Sequence, residues 1–181
     1  MRTKILLLIA ALAVLSSGLV LAGPEAKPAT GILGQGVVTQ VGIVVKDIER
    51  SARQYAAILG VPAPTWELTD TVDKAHTLYK GHPSPAQAKL AFINLPNIVL
   101  ELIEPVGGPS TWKEFLDAKG EGVHHLAFEV KDMDKRLAEL KAKGVPLIQS
   151  GDYTGGRYAY VDAVAQLGVI LELLENFPEK K

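Results

Sequence analysis

From residue 37 onward, short apolar, β-branched runs alternate with stretches of helical periodicity. Val37 to Val45 predicts a strand, and so does Val123 to Val130. Each is followed by an aspartate, Asp47 or Asp132, where a helix N-cap belongs. Ile48, Ala52, Tyr55 and Leu59 then share one side of a first helix, and Met133, Leu137 and Leu140 one side of a second. Gly60 and Gly144 stand where a helix C-terminus takes a left-handed residue. Both units close on an apolar strand, Ile98 to Glu104 and Val169 to Glu175. The second unit's middle strands fall near Pro146 to Gln149 and Arg157 to Val161. Those of the first are blurred between Thr65 and Leu95, where Gly81-His82-Pro83-Ser84-Pro85 marks a loop. Ser110 to Gly120 reads as a short linking helix capped by Ser110 or Thr111.

The two units are copies of each other. Gln40 to Arg50 aligns with His125 to Lys135 at an offset of 85 positions. Ile98-Val99-Leu100-Glu101-Leu102-Ile103-Glu104 aligns with Val169-Ile170-Leu171-Glu172-Leu173-Leu174-Glu175 at an offset of 71. The expected architecture is α+β, with module one over 37–105, a linker helix over 110–120 and module two over 122–176, in one domain spanning 37–177.

Strand alternation turns this repeat into a site. Gln40, Gly42 and Val44 share one face, leaving Val41, Ile43 and Val45 to cover a helix. His125, Ala127 and Glu129 likewise oppose Leu126, Phe128 and Val130. Glu101 sits between Val99 and Ile103, and Glu172 between Ile170 and Leu174. A carboxylate within such a strand is costly unless it is paired or bound to a cation, and here it recurs at equivalent positions. Singly, each residue has a commoner role: a solvent-facing Glu, a hydrogen-bonded core His, a polar edge Gln. Their coincidence at matched positions predicts that Gln40, Glu101, His125 and Glu172 converge on one divalent cation.

Composition narrows the rest. Hydrophobic residues make up 48% and charged residues 22%, which is the profile of a globular chain. The net charge is −1 and no basic stretch stands out, so no nucleic acid partner is expected. The absence of cysteine excludes disulfides, thiolate metal sites and a catalytic thiol. Residues 1–22 carry Arg2 and Lys4, an apolar run from Ile5 to Leu15, and Val20-Leu21-Ala22 at a cleavage position. That is the pattern of a signal peptide cut after Ala22, giving a periplasmic or secreted protein. The alternative is retention of residues 5–22 as a membrane anchor, the sole membrane contact expected. Gly23 to Gly36 reads as a flexible leader.

The motifs Glu121-Gly122-Val123-His124-His125-Leu126-Ala127-Phe128-Glu129-Val130, Leu100-Glu101-Leu102-Ile103-Glu104-Pro105 and Val169-Ile170-Leu171-Glu172-Leu173 resemble the vicinal-oxygen-chelate superfamily. Its members include glyoxalase I, methylmalonyl-CoA epimerase, extradiol dioxygenases and antibiotic-resistance proteins. The pair His124-His125 after a glycine is most similar to the methylmalonyl-CoA epimerases. The resemblance implies two paired βαβββ modules forming a curved sheet around a metal-holding cleft. It places His125, Glu101 and Glu172 on family ligand positions, and Gln40 where many members carry histidine and some glyoxalase I enzymes carry glutamine. That departure argues against an extradiol dioxygenase, whose iron site needs two histidines and a carboxylate. His124 is expected to point toward the helix side, in a structural role.

The chemistry implied is proton transfer next to a carbonyl of a small-molecule substrate. One divalent metal ion (Zn, Co, Ni or Mn) polarises the carbonyl, Glu172 acts as base, and Glu101 is the partner on the opposite face. Epimerisation and glyoxalase-type isomerisation share this core. An exported protein would be separated from CoA thioesters and glutathione adducts, so the leader and these named substrates pull apart. The alternative is a non-catalytic small-molecule-binding protein of the same fold. The chain holds both modules, so a monomer suffices for a complete cleft, while a homodimer stays open. Lys80 and Arg157 are candidates to meet a substrate anion, and Tyr153-Thr154-Gly155-Gly156 a candidate loop over the cleft.

Overall fold

The computed structural model describes residues 31–34 and 36–178. The expected export segment and most of the leader lie outside these residues. Among the described residues no helix is long and apolar enough to cross a membrane.

Module one opens with β1 (Val38–Val44) and α1 (Ile48–Leu59). It continues through β2 (Glu67–Leu68), α2 (Val72–Ala75), β3 (Leu78–Tyr79) and β4 (His82–Pro83), and closes on β5 (Gln87–Asn94) and β6 (Val99–Val106). The linker is α3 (Thr111–Lys119), with Ser110 Oγ accepting from the Lys113 N–H. Module two runs β7 (Gly122–Glu129), α4 (Met133–Ala142), β8 (Leu147–Tyr153), β9 (Gly156–Val161), the short α5 (Val164–Leu167) and β10 (Ile170–Asn176). All strands join one ten-stranded sheet in the order β2-β5-β6-β1-β7-β10-β9-β8-β3-β4. Each module contributes the same sub-order: first strand, closing strand, third, second. The modules meet along the antiparallel pair β1–β7, so the cleft is completed within one chain.

Chain connectivity forces this sheet to curl. In a flat sheet β4 and β5, at opposite ends of that order, would be about 38 Å apart, at about 4.8 Å per strand step. Only Ser84, Pro85 and Ala86 separate Pro83 from Gln87, a reach of at most about 14 Å. The two ends therefore come together, and the strands wrap a cup. Residues 69–86 fall within the stretch from Thr65 to Leu95 that the sequence left blurred. They leave module one and dock β3 on the far edge of module two, and the expected loop at 81–85 contains β4.

The register along β1–β7 is two-fold symmetric. Gln40 pairs Ala127, Gly42 pairs His125, Val38 pairs Phe128 and Ile43 pairs Val123. An offset of 85 converts each of these pairs into another. The bulges follow the same symmetry, leaving Thr39 unpaired on β1 and His124 on β7.

Alternation sorts the side chains as the pattern predicts. Outside, Ile43, Val45, Ile48, Ala52 and Leu102 pack α1 on module one, and Phe128, Met133, Leu140, Leu171 and Leu173 pack α4 on module two. Leu59, expected on that buried side, is 40% exposed, while Ala56 is buried near the helix end. Gly60 ends α1 at φ 69, and Gly144 follows α4 at φ 77, as expected. Inside the cup, Val44, Ile103 and Tyr160 pack with Trp112, Phe115 and Leu116 of α3. The linker helix is thus a plug rather than a surface connection. Gln149, buried on β8, latches it by accepting from the N–H and hydroxyl of Thr111 at 2.8 and 3.2 Å.

One capping expectation needs correction. Asp47 caps α1 through the Arg50 N–H at 2.9 Å, but Asp132 sits at φ 57 and makes no side-chain cap. The last glutamate of each closing strand supplies a cap in both modules. Ile48 N–H donates to Glu104 at 2.7 Å, and Met133 N–H donates to Glu175 at 3.2 Å. In each closing motif the first Glu faces inward and the second faces the N-terminus of its own helix, where a carboxylate is favoured.

Candidate metal centre

Two rungs that are neighbours on the concave face of the sheet build the site. One runs Glu101, Gly42, His125, Ile170 across β6, β1, β7 and β10; the next runs Val99, Gln40, Ala127, Glu172. On the concave face this brings together Glu101, His125 and Glu172, each offering one ligand atom within 4.8 Å of the others. His125 Nε2 is 3.1 Å from Glu172 Oε2 and 3.4 Å from Glu101 Oε2. All three are buried: His125 is 0% exposed, Glu172 4% and Glu101 7%. Gln40 lies on the same face and on the same rung as Glu172, half-buried, with Ala127 between them.

Gly42 makes room for the imidazole. A Cβ there would fall 1.9 Å from His125 Cε1, inside a packed wall. Glycine within a strand commonly marks such a close approach, and that was the signal available in the sequence. Tyr160 closes the other side, its ring centroid 4.9 Å from that of His125, with its hydroxyl accepting from Trp112 Nε1 at 3.1 Å. Trp112 and Tyr160 are core residues, and Tyr160 also walls the site.

The electrostatics are strained without a cation. Burial pushes the Glu101 carboxyl upward, and the nearby Glu172 charge adds to this against the lowering effect of His125. Burial disfavours a charged His125, but the two carboxylates outweigh it and hold the imidazole at about 9. Glu101 Oε2 and His125 Nε2 are nonetheless buried without a hydrogen-bond partner, since their approaches lack hydrogen-bond geometry. These facts fit a divalent cation. Two ligands about 2.1 Å from one ion lie about 3.0 Å apart at a right angle and about 3.4 Å apart at the tetrahedral angle. The observed 3.1 and 3.4 Å match that range. Two carboxylates neutralise the ion, and one imidazole suits Zn, Co, Ni or Mn.

Residues 39–161 match the sequence model of the Glyoxalase/Bleomycin resistance protein/Dioxygenase superfamily. The chain belongs to this superfamily. It is 33% identical over 120 residues to an ethylmalonyl-CoA/methylmalonyl-CoA epimerase of Cereibacter sphaeroides, covering 65% of this chain and 78% of that one. It is 30% identical over 112 residues to the mitochondrial methylmalonyl-CoA epimerase of Homo sapiens, covering 61% and 55%. Among solved structures, the methylmalonyl-CoA epimerase of Mycobacterium tuberculosis superposes with a TM-score of 0.59 at 25% identity, covering 81% and 93%. The cup of paired βαβββ modules is therefore the superfamily fold, and the relatives with named activities are enzymes.

Other residues stand elsewhere than expected. His124 does not face the module helix α4: the bulge turns it inward, 1% exposed, against Phe115 and Tyr160. Burial holds its imidazole down at about 3, with the neighbouring His125 charge adding to the effect, so it is neutral. Arg157 pairs with Glu175 and Asp134 at 2.7 and 3.0 Å on the outer face, tying β9 to α4. Lys80 pairs with Glu114 of α3 at 3.0 Å. Thr154-Gly155 is a tight two-residue turn between paired strands, with Tyr153 and Gly156 in register, rather than a loop over the cleft.

Proposed function

We propose that this protein is a divalent-metal-dependent epimerase that moves a proton at a carbon next to a carbonyl, acting on a 2-substituted malonyl thioester as its epimerase relatives do. The observation that carries this reading is the buried Glu101–His125–Glu172 cluster, with ligand atoms that lack hydrogen-bond partners. Glu101, His125 and Glu172 would hold the ion, with Gln40 as the neighbouring amide donor. A bound divalent cation supplies Lewis-acid polarisation of a carbonyl oxygen.

The chain's own groups do the proton work. Epimerisation needs one group to take the proton from one face of the carbon and another to return it on the opposite face. Glu101 and Glu172 reach the cluster from β6 and β10, the strands that flank the β1–β7 pair on either side. Glu172 takes the base role, and Glu101 is its partner for the opposite face.

We propose in addition that residues 1–22 export the protein and are removed after Ala22. Intact-mass measurement of the protein from its native envelope tests this; a mature chain retaining Met1 overturns cleavage. For the reaction, the purified domain is loaded with Co, Ni, Zn or Mn and incubated with methylmalonyl-CoA in deuterated solvent. The expected result is metal-dependent deuterium incorporation at the α-carbon. Absence of exchange in all four metal-loaded forms overturns the epimerase reading.

A further inference from the structure

His124 is the buried polar residue that the proposed reaction does not use. Successive residues of a regular strand point to opposite faces, so a neighbour of the inward-facing His125 should face α4. The β7 bulge cancels that alternation, because Gly42 pairs His125 while Ile43 already pairs Val123. Both imidazoles therefore enter the cup. Their rings stand at 86°, with His124 Nδ1 3.0 Å from His125 Nδ1. Two ring nitrogens at that distance share one proton: one donates and the other offers its lone pair.

The far side of His125 fixes which one donates. Its Nε2 faces Glu172 and Glu101, and a nitrogen that binds a cation must present a lone pair. The His125 proton then resides on Nδ1, and His124 Nδ1 must accept it. Metal-binding histidines usually hand that second N–H to a carboxylate, a backbone carbonyl or water. Here a neutral imidazole stands in that place. The charge of the site gives a reason. Glu101 and Glu172 already balance a divalent ion, and a third carboxylate would leave a buried net charge.

The cost of His124 makes the same point. Its Nε2 is buried without a hydrogen-bond partner, against the rings of Phe115 and Tyr160. An apolar ring of similar size would avoid that penalty in a cluster otherwise formed by Trp112, Phe115 and Tyr160. Its ring has polar contact with the Thr111 backbone and, through Nδ1, with His125, so Nδ1 is the nitrogen committed to His125.

We infer that His124 is a positioning residue: its Nδ1 accepts the Nδ1–H of His125, fixing the tautomer and ring orientation that present His125 Nε2 to the cation. This rests on the metal-centre reading above.

The test uses the whole mature protein, 15N-labelled, in chelated and zinc-loaded forms. Long-range proton–nitrogen NMR correlations locate the shared proton. It is expected on His125 Nδ1 in both forms, with a coupling across the contact to His124 Nδ1. Zinc affinity is measured by chelator competition for wild type, His124→Phe and His124→Asn. The Asn amide oxygen can replace the accepting nitrogen, and Phe keeps only the ring. His124→Phe should weaken zinc binding by roughly 10- to 100-fold, with His124→Asn restoring most of it. A proton found on His124 Nδ1 in the zinc form overturns the inference, as does Phe binding like wild type or Asn no better than Phe. Wild-type protein that takes up no zinc overturns the metal reading instead, and the proton position in the chelated protein then decides this inference alone. The wild-type NMR measurement also decides it if either variant fails to fold.

Discussion

Gly42 lies directly beneath the His125 ring, with no room for a side chain between β1 and the imidazole: an added Cβ would stand 1.9 Å from Cε1. The contact spans the antiparallel pair that joins the modules, so the module interface and the candidate centre are one structure. Gly42→Ala should therefore displace His125 and strain β1–β7 together. The expected cost is about 1–3 kcal/mol, the range for overpacking a filled core. Thermal unfolding measures the loss of stability and zinc titration the loss of affinity. An alanine variant with wild-type values in both would show that the ring relocates freely.

Glu172→Gln keeps the shape of the side chain and removes its charge and basicity. It should lower metal-dependent α-deuterium exchange by about 10²–10⁴-fold, the usual contribution of a positioned base. Elemental analysis of the same sample should show reduced metal content, because one of two neutralising carboxylates is gone. Full metal content with full exchange would remove Glu172 from the reaction.

The buried groups set a pH dependence. His125 is held at about 9, above its ordinary value of 6.5, so it favours the folded state fully below 6.5 and loses that contribution as pH rises through 9. Glu101, also raised, acts with the same sign. His124 is held at about 3, so its unfolded form gains a proton that the folded form refuses, and stability falls as pH drops below 6.5. Chelated protein should therefore lose melting temperature between pH 6.5 and 9. Metal binding requires deprotonated His125, so the stabilisation by zinc should grow over the same interval. Parallel melting curves for chelated and zinc-loaded samples that keep a constant gap would contradict this assignment.

Glu104 and Glu175 face away from the centre and cap α1 and α4. Glu104→Gln and Glu175→Gln should each destabilise the fold by about 1 kcal/mol, from weakened capping and lost pairs with Lys89 and Arg157. Zinc affinity should stay at the wild-type value. Chemical denaturation and zinc titration separate the two effects, and a drop in affinity would mean that the outer caps control the inner rungs.

Local patterning carried much of this into the sequence. The 85-residue repeat determined which strands correspond, and the two-residue period determined which face Gln40, Gly42, His125, Glu101 and Glu172 would share. Those are short-range properties, and they held in the folded chain. What the sequence could not state depended on contacts between distant segments. The β7 bulge turned His124 from the helix side into the cup, a register shift that no alternation rule contains. Residues 69–86 crossed to the far module because closure of the sheet rewarded pairing with β8, while their own two-residue strands carry almost no local signal. The linker helix became a plug because Gln149 and Tyr160 hold Thr111 and Trp112. Glu101, Glu172 and His125 come from three strands, and only pairing β6 to β1 and β10 to β7 brings their ligand atoms within 4.8 Å. The sequence determined which residues face the centre; the tertiary register decided that Glu101, His125 and Glu172 meet there, because only strand pairing between distant segments sets those distances.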